Sequence, residues 1–374
     1  MKRIIISALL VMIAINSKAQ EEGERRVITT AVPFVLIAAD ARAAGMGDMG
    51  VATSVDAFSQ QWNPAKYAFS ETKQGIGVTY TPYLSQLVND IFLGNVTYFN
   101  RINERSAIGA SFKYFSLGDI ELRDTAEQIP LIQSPNELTV DVSYSLRLSE
   151  RFSMAIAGRY LRDEDATAGN SFAVDIAGYY QSEEVTYNDF DGRWRGGFNI
   201  SNIGPKIKYD EVGQENFLPT NLRLGGGFDF LLDAYNRVGV TAEVNKLLVP
   251  TPPVRDQDGN IIRGEDDDVT FFKGIFQSFG DAPDGFKEEL KEFTWALGVE
   301  YVYQDSFSLR TGYFNESDLK GSRKFASLGA GFKYTSINID ISYLFSTSKV
   351  RSPLEGTLRF GLTFNFGDEA YSEY

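Results

Sequence analysis

The chain contains no cysteine and no histidine in 374 residues. Without cysteine there are no disulfides, thiol nucleophiles or zinc ribbons. Without histidine there is no imidazole base for a Ser-His-Asp or Cys-His arrangement, and the usual ligand of transition metals is missing. Positive charge is also scarce, with 36 Lys and Arg against 50 Asp and Glu and a formal net charge of −14. Such a balance lacks the concentrated basic face that phosphate binding needs, so nucleic acid is not an expected partner. Long apolar runs are absent as well: beyond the N-terminus no stretch approaches the ~18 residues of a membrane-spanning helix.

The N-terminus reads as an export signal. Lys2 and Arg3 precede an apolar run from Ile4 to Ile15, followed by Asn16-Ser17-Lys18-Ala19, a basic region, a short apolar region and a small-residue cleavage site. Cleavage after Ala19 removes three bases and no acids, leaving 33 against 50 and a net charge of −17. The expected divisions are a signal peptide at 1–19, a non-alternating segment at 20–70, a barrel at 71–367 and a short tail at 368–374.

What the rest of the chain repeats is strict alternation. From Ile337 the text Ile-Asn-Ile-Asp-Ile-Ser-Tyr-Leu-Phe puts Ile337, Ile339, Ile341, Tyr343 and Phe345 on one face and Asn338, Asp340 and Ser342 on the other, the period of a strand. About fourteen such segments follow one another, each roughly nine to eleven residues long, enough to cross a tilted ~25–30 Å hydrocarbon layer. The connections alternate between long and short. Residues 82–90, 117–137, 202–220, 248–291, 315–324 and 347–355 are long; 101–105, 149–151, 232–236, 304–306 and 335–336 are short; 182–191 is a longish member of the short set and 163–167 a shortish member of the long set. Up-and-down connectivity sends every second loop to the same end, so one end carries the long loops, as in outer-membrane barrels. The expected fold is therefore all-β, a transmembrane antiparallel β-barrel of about 14 strands, in contact with outer-membrane lipid.

By the same alternation the inward face carries Lys113, Arg147, Arg159, Arg223, Arg310 and Arg359 with Asp141, Asp175, Asp229, Glu243, Glu300 and Asp340; Arg193, Arg195 and Lys333 share that face. Two readings follow: a lined conduit, or Arg-carboxylate pairs that fill and brace a closed lumen. The mixing of signs favours the second, since open pores tend to segregate charge.

Before the first strand, Gly45-Met46-Gly47-Asp48-Met49-Gly50 and Trp62-Asn63-Pro64-Ala65 do not alternate; three glycines in six residues allow tight turns and close backbone contact. The spacing is not that of a nucleotide loop. This text resembles the N-terminal hatch of FadL-type outer-membrane barrels, which implies a fourteen-stranded barrel plugged by that segment. Longer matches extend the resemblance over nearly the whole mature chain: Pro33-Phe34-Val35-Leu36-Ile37-Ala38-Ala39-Asp40-Ala41-Arg42, Tyr80-Thr81-Pro82-Tyr83-Leu84, Asn199-Ile200-Ser201-Asn202-Ile203-Gly204-Pro205-Lys206 and Leu218-Pro219-Thr220-Asn221-Leu222-Arg223. They are similar to the PorV family, FadL-like barrel subunits of the type IX secretion system. That resemblance implies a protein without covalent chemistry or cofactors. It implies docking on a large SprA-like translocon, receipt of cargo through the cargo's C-terminal signal domain, and delivery to a PorU-like sortase/attachment complex at the cell surface.

The longest loop supports a docking role on its own terms. Phe271 begins a segment in which Phe272, Ile275, Phe276 and Phe279 fall at helical spacing. With Tyr83, Leu84, Leu87, Ile129, Leu131 and Ile132 it would form an apolar rim for translocon or cargo; alternatively it folds down as a lid over the barrel mouth. The acidic text Asp256-Gln257-Asp258-Gly259-Asn260 and Glu265 to Asp268 hints at calcium but lacks EF-hand spacing, and Asp-Gly is also a hairpin turn signal. Two other functions remain open. A FadL-like transporter of hydrophobic small molecules needs an apolar lumen pocket and a route past the hatch. An outer-membrane hydrolase would need Lys or carboxylate activation, for which no paired motif stands out.

Overall fold

The computed structural model describes residues 25–84, 90–123, 129–164, 169–187, 190–209, 215–348 and 352–367. The expected leader, the 368–374 tail and Leu87 lie outside these residues. Fourteen strands close into one barrel: β1 (Gln74–Pro82), β2 (Ile91–Arg101), β3 (Ser106–Leu117), β4 (Asn136–Ser149), β5 (Phe152–Glu164), β6 (Gly169–Gln181), β7 (Asp191–Ile203), β8 (Asn221–Leu231), β9 (Asn236–Leu247), β10 (Thr294–Tyr303), β11 (Phe307–Asn315), β12 (Lys324–Tyr334), β13 (Ile337–Ser346) and β14 (Leu358–Phe366). Each pairs antiparallel with its neighbours in chain order. β14 returns to β1, with Gln74 opposite Phe366 and Tyr80 opposite Phe360, so the ring has no open edge. Closure is what lets a sheet lie in hydrocarbon, because every backbone N–H and C=O between the strands finds a partner. No helix among the described residues is long and apolar enough to cross a membrane.

Alternation sets which face meets which medium. In β13, Ile337, Ile339, Ile341 and Phe345 are exposed on the outer wall while Asp340 and Ser342 are buried inside. In β4, Val140, Val142 and Tyr144 are outside and Thr139, Asp141, Ser143 and Ser145 inside. The polar positions are thus the buried ones, the inverse of a water-soluble sandwich.

The connections behave as their lengths predict. Short turns join the strands at one end; two of them need left-handed backbone at non-glycine residues, Gln304 and Asp305 in one and Thr335 in the other. The longest member of the short set folds back as a two-residue strand, Val185–Thr186, against the start of β7. Strands β4 to β7 run to 13 or 14 residues, longer than the alternation alone suggests. Their extra residues, such as Arg162, Asp163 and Glu164, are polar and carry the sheet beyond the apolar band toward the long loops.

Lipid contact with the outer wall gives a direct expectation. Val142 is central in β4 and 60% exposed, so Val142→Arg should lower unfolding stability in lipid vesicles by ~2–4 kcal/mol. Ser143→Ala, one residue away on the inner face, should cost less than ~1.5 kcal/mol, the scale of a single hydrogen bond. Urea unfolding from vesicles reads both; equal effects would place Val142 away from lipid.

Candidate functional site: a plugged lumen and an aromatic outer rim

Residues 34–70 occupy the inside of the ring. The segment enters at the long-loop end, where the Arg26 amide donates to the Leu319 carbonyl at 3.0 Å and its guanidinium pairs with Asp284 at 2.8 Å and Glu288 at 2.9 Å. A 3-10 turn, Pro33–Leu36, sets Phe34 against Phe115 with ring centroids 6.0 Å apart. Below it, helix α1 (Ala41–Ala44) packs against β12, β13 and β14. Asp40 caps α1: one carboxylate oxygen accepts from the Ala43 amide at 2.7 Å, the other from the Trp62 indole at 2.7 Å. A short helix α2 (Ser59–Trp62) and a 3-10 turn, Pro64–Phe69, close the short-turn end against the inner faces of β2 to β6.

Glycine sets how closely plug and wall approach. A Cβ on Gly312 of β11 would lie 2.0 Å from the Met46 carbonyl carbon, and one on Gly197 of β7 would lie 2.2 Å from the Val51 oxygen. Backbone therefore touches backbone, which no larger residue permits. Gly47 has φ +85, a left-handed turn that reverses the chain between Met46 and Met49, and its amide donates to Ser327 at 2.9 Å. Met46 and Met49 then fill the space among Ala296, Phe314, Phe325 and Leu344.

Ion pairs lock the same contact. Arg42 reaches Glu300 of β10 through two hydrogen bonds, at 3.0 and 2.9 Å, and Asp56 at 2.7 Å. Glu300 also accepts from Arg310 at 2.7 Å, and Arg310 from its other side meets Asp340 at 2.5 Å. Arg359 pairs with Asp48 at 2.9 Å. Arg159 sits between Asp141 and Asp175, and Arg195 pairs with Asp229 at 2.8 Å while donating to the Ala52 carbonyl. Glu243 accepts from the amides of Gly50 and Val51, both at 2.9 Å. The Lys66 ammonium is fully buried on the Gly50 carbonyl and the Thr53 hydroxyl. Single buried charges are costly, so these bidentate and shared contacts are the form in which a charged lumen can be filled.

The twelve lumen charges read from the alternation divide accordingly. Eleven are buried in this lattice; Lys113 donates to the Val35 carbonyl at 3.3 Å rather than to a carboxylate. Arg147 is the exception, at the short-turn mouth, where it lies over the Phe69 ring at 4.7 Å in a shallow cleft with Arg151, Glu183 and Arg193. Lys333 is exposed at that same end of its strand. The hatch residues behave as one unit: Gly50 abuts Trp62, Asn63 bridges the Val51 and Gly178 carbonyls at 2.9 and 3.0 Å, Pro64 begins the 3-10 turn, and the Ala65 carbonyl accepts from Ser153 at 2.7 Å. Gly45 meets Gly329 across the gap. Strand alternation marks only charges on the wall, so Asp40, Arg42, Asp48, Asp56 and Lys66 escape it; five charges inside a largely apolar, Gly-rich text are the available signal.

At the other end, the long loop 248–293 carries helix α3 (Phe271–Gln277). Its small residue Gly274 faces inward onto Phe217 and Pro250, while Phe272, Phe276 and Phe279 are 61%, 76% and 50% exposed. Phe271 lies against Phe272 with centroids 4.2 Å apart, and Phe271 and Ile275 are half-buried. The aromatic face of the helix points out. Ile129, Leu131 and Ile132 are exposed on a separate hairpin formed by Ile120–Leu122 and Leu131–Gln133. Tyr83 instead packs edge-on against Phe115, 5.3 Å away, and joins the packing at this end of the lumen, while the half-buried Leu84 donates its amide to the Pro353 carbonyl. The acidic text at 256–268 is a surface hairpin. Asp256 accepts from the Asp258 and Asn260 amides at 2.9 and 2.8 Å, Asp267 pairs with Arg255 at 2.7 Å, and Asp268 with Lys206 at 3.2 Å.

Beneath this loop lies a buried lattice that the sequence did not reveal. Lys246 pairs with Glu292 at 2.6 Å and Glu289 at 2.7 Å; Lys320 pairs with Glu288 at 2.8 Å and Glu292 at 2.9 Å; the Thr251 amide donates to Asp281 at 2.9 Å. Burial, and after it Glu292 and Glu289, push the Asp281 carboxyl up to about 6 against the opposing pull of the Thr251 amide.

Residues 19–254 match the family described as "Type IX secretion system protein PorV". No curated protein matches the sequence. Among solved structures the chain is similar to the CymD monoaromatic hydrocarbon channel, at 13% identity over 89% of this chain and 98% of that one, TM-score 0.48. It is similar to the Ralstonia pickettii toluene transporter TbuX, at 11% identity over 89% and 100%, TM-score 0.46. A Pseudomonas aeruginosa FadL homologue gives 12% identity over 92% and 100%, TM-score 0.45. Likenesses this distant carry nothing about what this chain binds.

Two substitutions test the plug. Gly312→Ala should unseat residues 41–53, seen as new protease cleavage there in the purified barrel, whereas Gly158→Ala, whose Cβ would meet nothing within 4 Å, should leave the pattern unchanged. Arg42→Met leaves Glu300 with Arg310 alone and takes the guanidinium from Asp56, and should cost ~3–5 kcal/mol, read as a fall in unfolding midpoint. Protection equal to the parent in both variants would show that the wall does not hold this segment.

Proposed function

Because this chain belongs to the PorV family of type IX secretion system proteins, an outer-membrane barrel family, we propose that its work is done at the outer rim and not through the lumen. In this reading the barrel is an anchor and a shuttle. It docks on the SprA-like translocon, receives exported cargo through the cargo's C-terminal signal domain, and passes that cargo to the PorU-like sortase/attachment complex. No bond is made or broken by the barrel itself.

The observation that carries the reading is the outward aromatic face of α3. Phe272 and Phe276 are 61% and 76% exposed on a loop at the surface end of the barrel, and Phe286 and Leu290, later in the same loop, are 74% and 54% exposed. Aromatic side chains exposed in this way are the anchors that dominate protein interfaces. The lumen supports the same side of the choice. An apolar small molecule travelling through it would have to displace the Arg42–Glu300–Arg310–Asp340 chain and the glycine contacts around Met46.

Replacing Phe272 and Phe276 together by Ser should leave the barrel folded and reduce co-purification of cargo or translocon by at least about tenfold, since an anchor pair of this type contributes ~2 kcal/mol or more. Undiminished recovery of both partners with the doubly substituted protein would contradict the rim as the docking surface.

A further inference from the structure

The lattice beneath α3 carries more negative charge than its own cations match. Four buried carboxylates, Asp281, Glu288, Glu289 and Glu292, face Arg26, Lys246 and Lys320. The cations distribute unevenly. Glu288 and Glu292 each take two cations and one further donor, the Asp284 amide and the Thr251 hydroxyl; Glu289 takes Lys246 alone, and Asp281 takes only the Thr251 amide on one oxygen. Asp281 is 2% exposed, and among the described residues its Oδ1 accepts no hydrogen bond; Oε2 of Glu289, a residue 5% exposed, accepts none either. A buried carboxylate oxygen without a partner costs several kcal/mol unless something neutralises it. One oxygen from each of Asp281, Glu289 and Glu292 lies within 4.8 Å of the others, all three residues buried. Calcium sits ~2.3–2.6 Å from its oxygen ligands, so opposite ligands stand about 4.6–5.2 Å apart; magnesium, at ~2.0–2.1 Å, needs a tighter octahedron. With no histidine or cysteine in the chain, an oxygen-ligated hard cation is the class this donor set suits.

We propose that Asp281, Glu289 and Glu292 form a calcium site that fastens the long loop to the barrel rim. The three ligands come from one loop, but the groups around them do not: Lys246 ends β9, Lys320 belongs to the next long loop, and Arg26 comes from the entering N-terminal segment. A cation here would neutralise the surplus carboxylate charge at the place where four segments meet. Lys246 also lies 5.9 Å from the Phe279 ring and 5.2 Å from Phe293, so ordering the lattice orders the base of the aromatic helix. The site is separate from the 256–268 hairpin, whose carboxylates already hold their own turn and neighbouring bases. It stands on the loop's own geometry and does not depend on the docking role.

The test is calorimetric titration of calcium chloride and magnesium chloride into the full-length detergent-purified protein after chelator treatment. One calcium per chain is expected, with a dissociation constant on the order of 10⁻⁴–10⁻³ M, the range of weak surface modules, and magnesium binding at least about tenfold weaker. Asp281→Asn and Glu289→Gln should each weaken calcium at least about tenfold, while Asp256→Asn leaves it unchanged. Hydrogen exchange across 271–292 should slow with calcium in the parent and not in Glu289→Gln. Far-ultraviolet circular dichroism establishes that each variant keeps the barrel; should Asp281→Asn fail to fold, the Glu289→Gln result decides. Absence of a saturable calcium signal up to about 20 mM, far above that affinity range, overturns the site, as does calcium binding that survives both substitutions or disappears in Asp256→Asn.

Discussion

Backbone hydrogen bonding in hydrocarbon is the constraint from which the rest follows. A sheet in lipid cannot leave an edge unpaired, so β14 must meet β1 and the fourteen strands must close. Closure turns the sheet inside out relative to a soluble protein: Ile, Val and Phe go to the outer wall, while Ser, Thr, Arg and Asp are forced to the middle. A fourteen-strand ring is too wide for its own inner side chains to fill. Something must occupy the space, and here it is the N-terminal segment.

Filling a polar cylinder with a chain segment poses its own problem, since the segment brings backbone amides and carbonyls that also need partners. The solution is visible in the pairing of glycines across the gap, which lets backbone approach backbone, and in charges that bridge plug to wall. Arg42 to Glu300 spans 258 positions in sequence; Asp48 to Arg359 spans 311. These contacts make the plug part of the barrel's structure. They also fill the described lumen with paired charges and close backbone contacts.

Much of this was legible in the sequence because alternation is a local signal. Ile337 to Phe345 announces both a strand and its two faces without any knowledge of neighbours, and the parity of loop lengths announces which end faces out. Strand ends were less legible where polar residues continue the pairing, as at Arg162 to Glu164. The tertiary pairings were not legible at all. Nothing near Gly312 indicates that Met46 will lie on it, and nothing near Tyr83 indicates that Phe115 will lie beside it. The Asp281, Glu289 and Glu292 group was hidden for a related reason: its identity depends on Lys246, Lys320 and Arg26, from three other segments. The acidic run at 256–268, conspicuous in sequence, instead serves an ordinary turn.

The central claim is that the lumen is shut by its own N-terminal segment and that function resides at the outer rim. Ion conductance of the unmodified, purified protein in a planar lipid bilayer tests it most directly. The account predicts insertion without steady current in concentrated salt; a stable, ohmic single-channel current from the intact chain would contradict it.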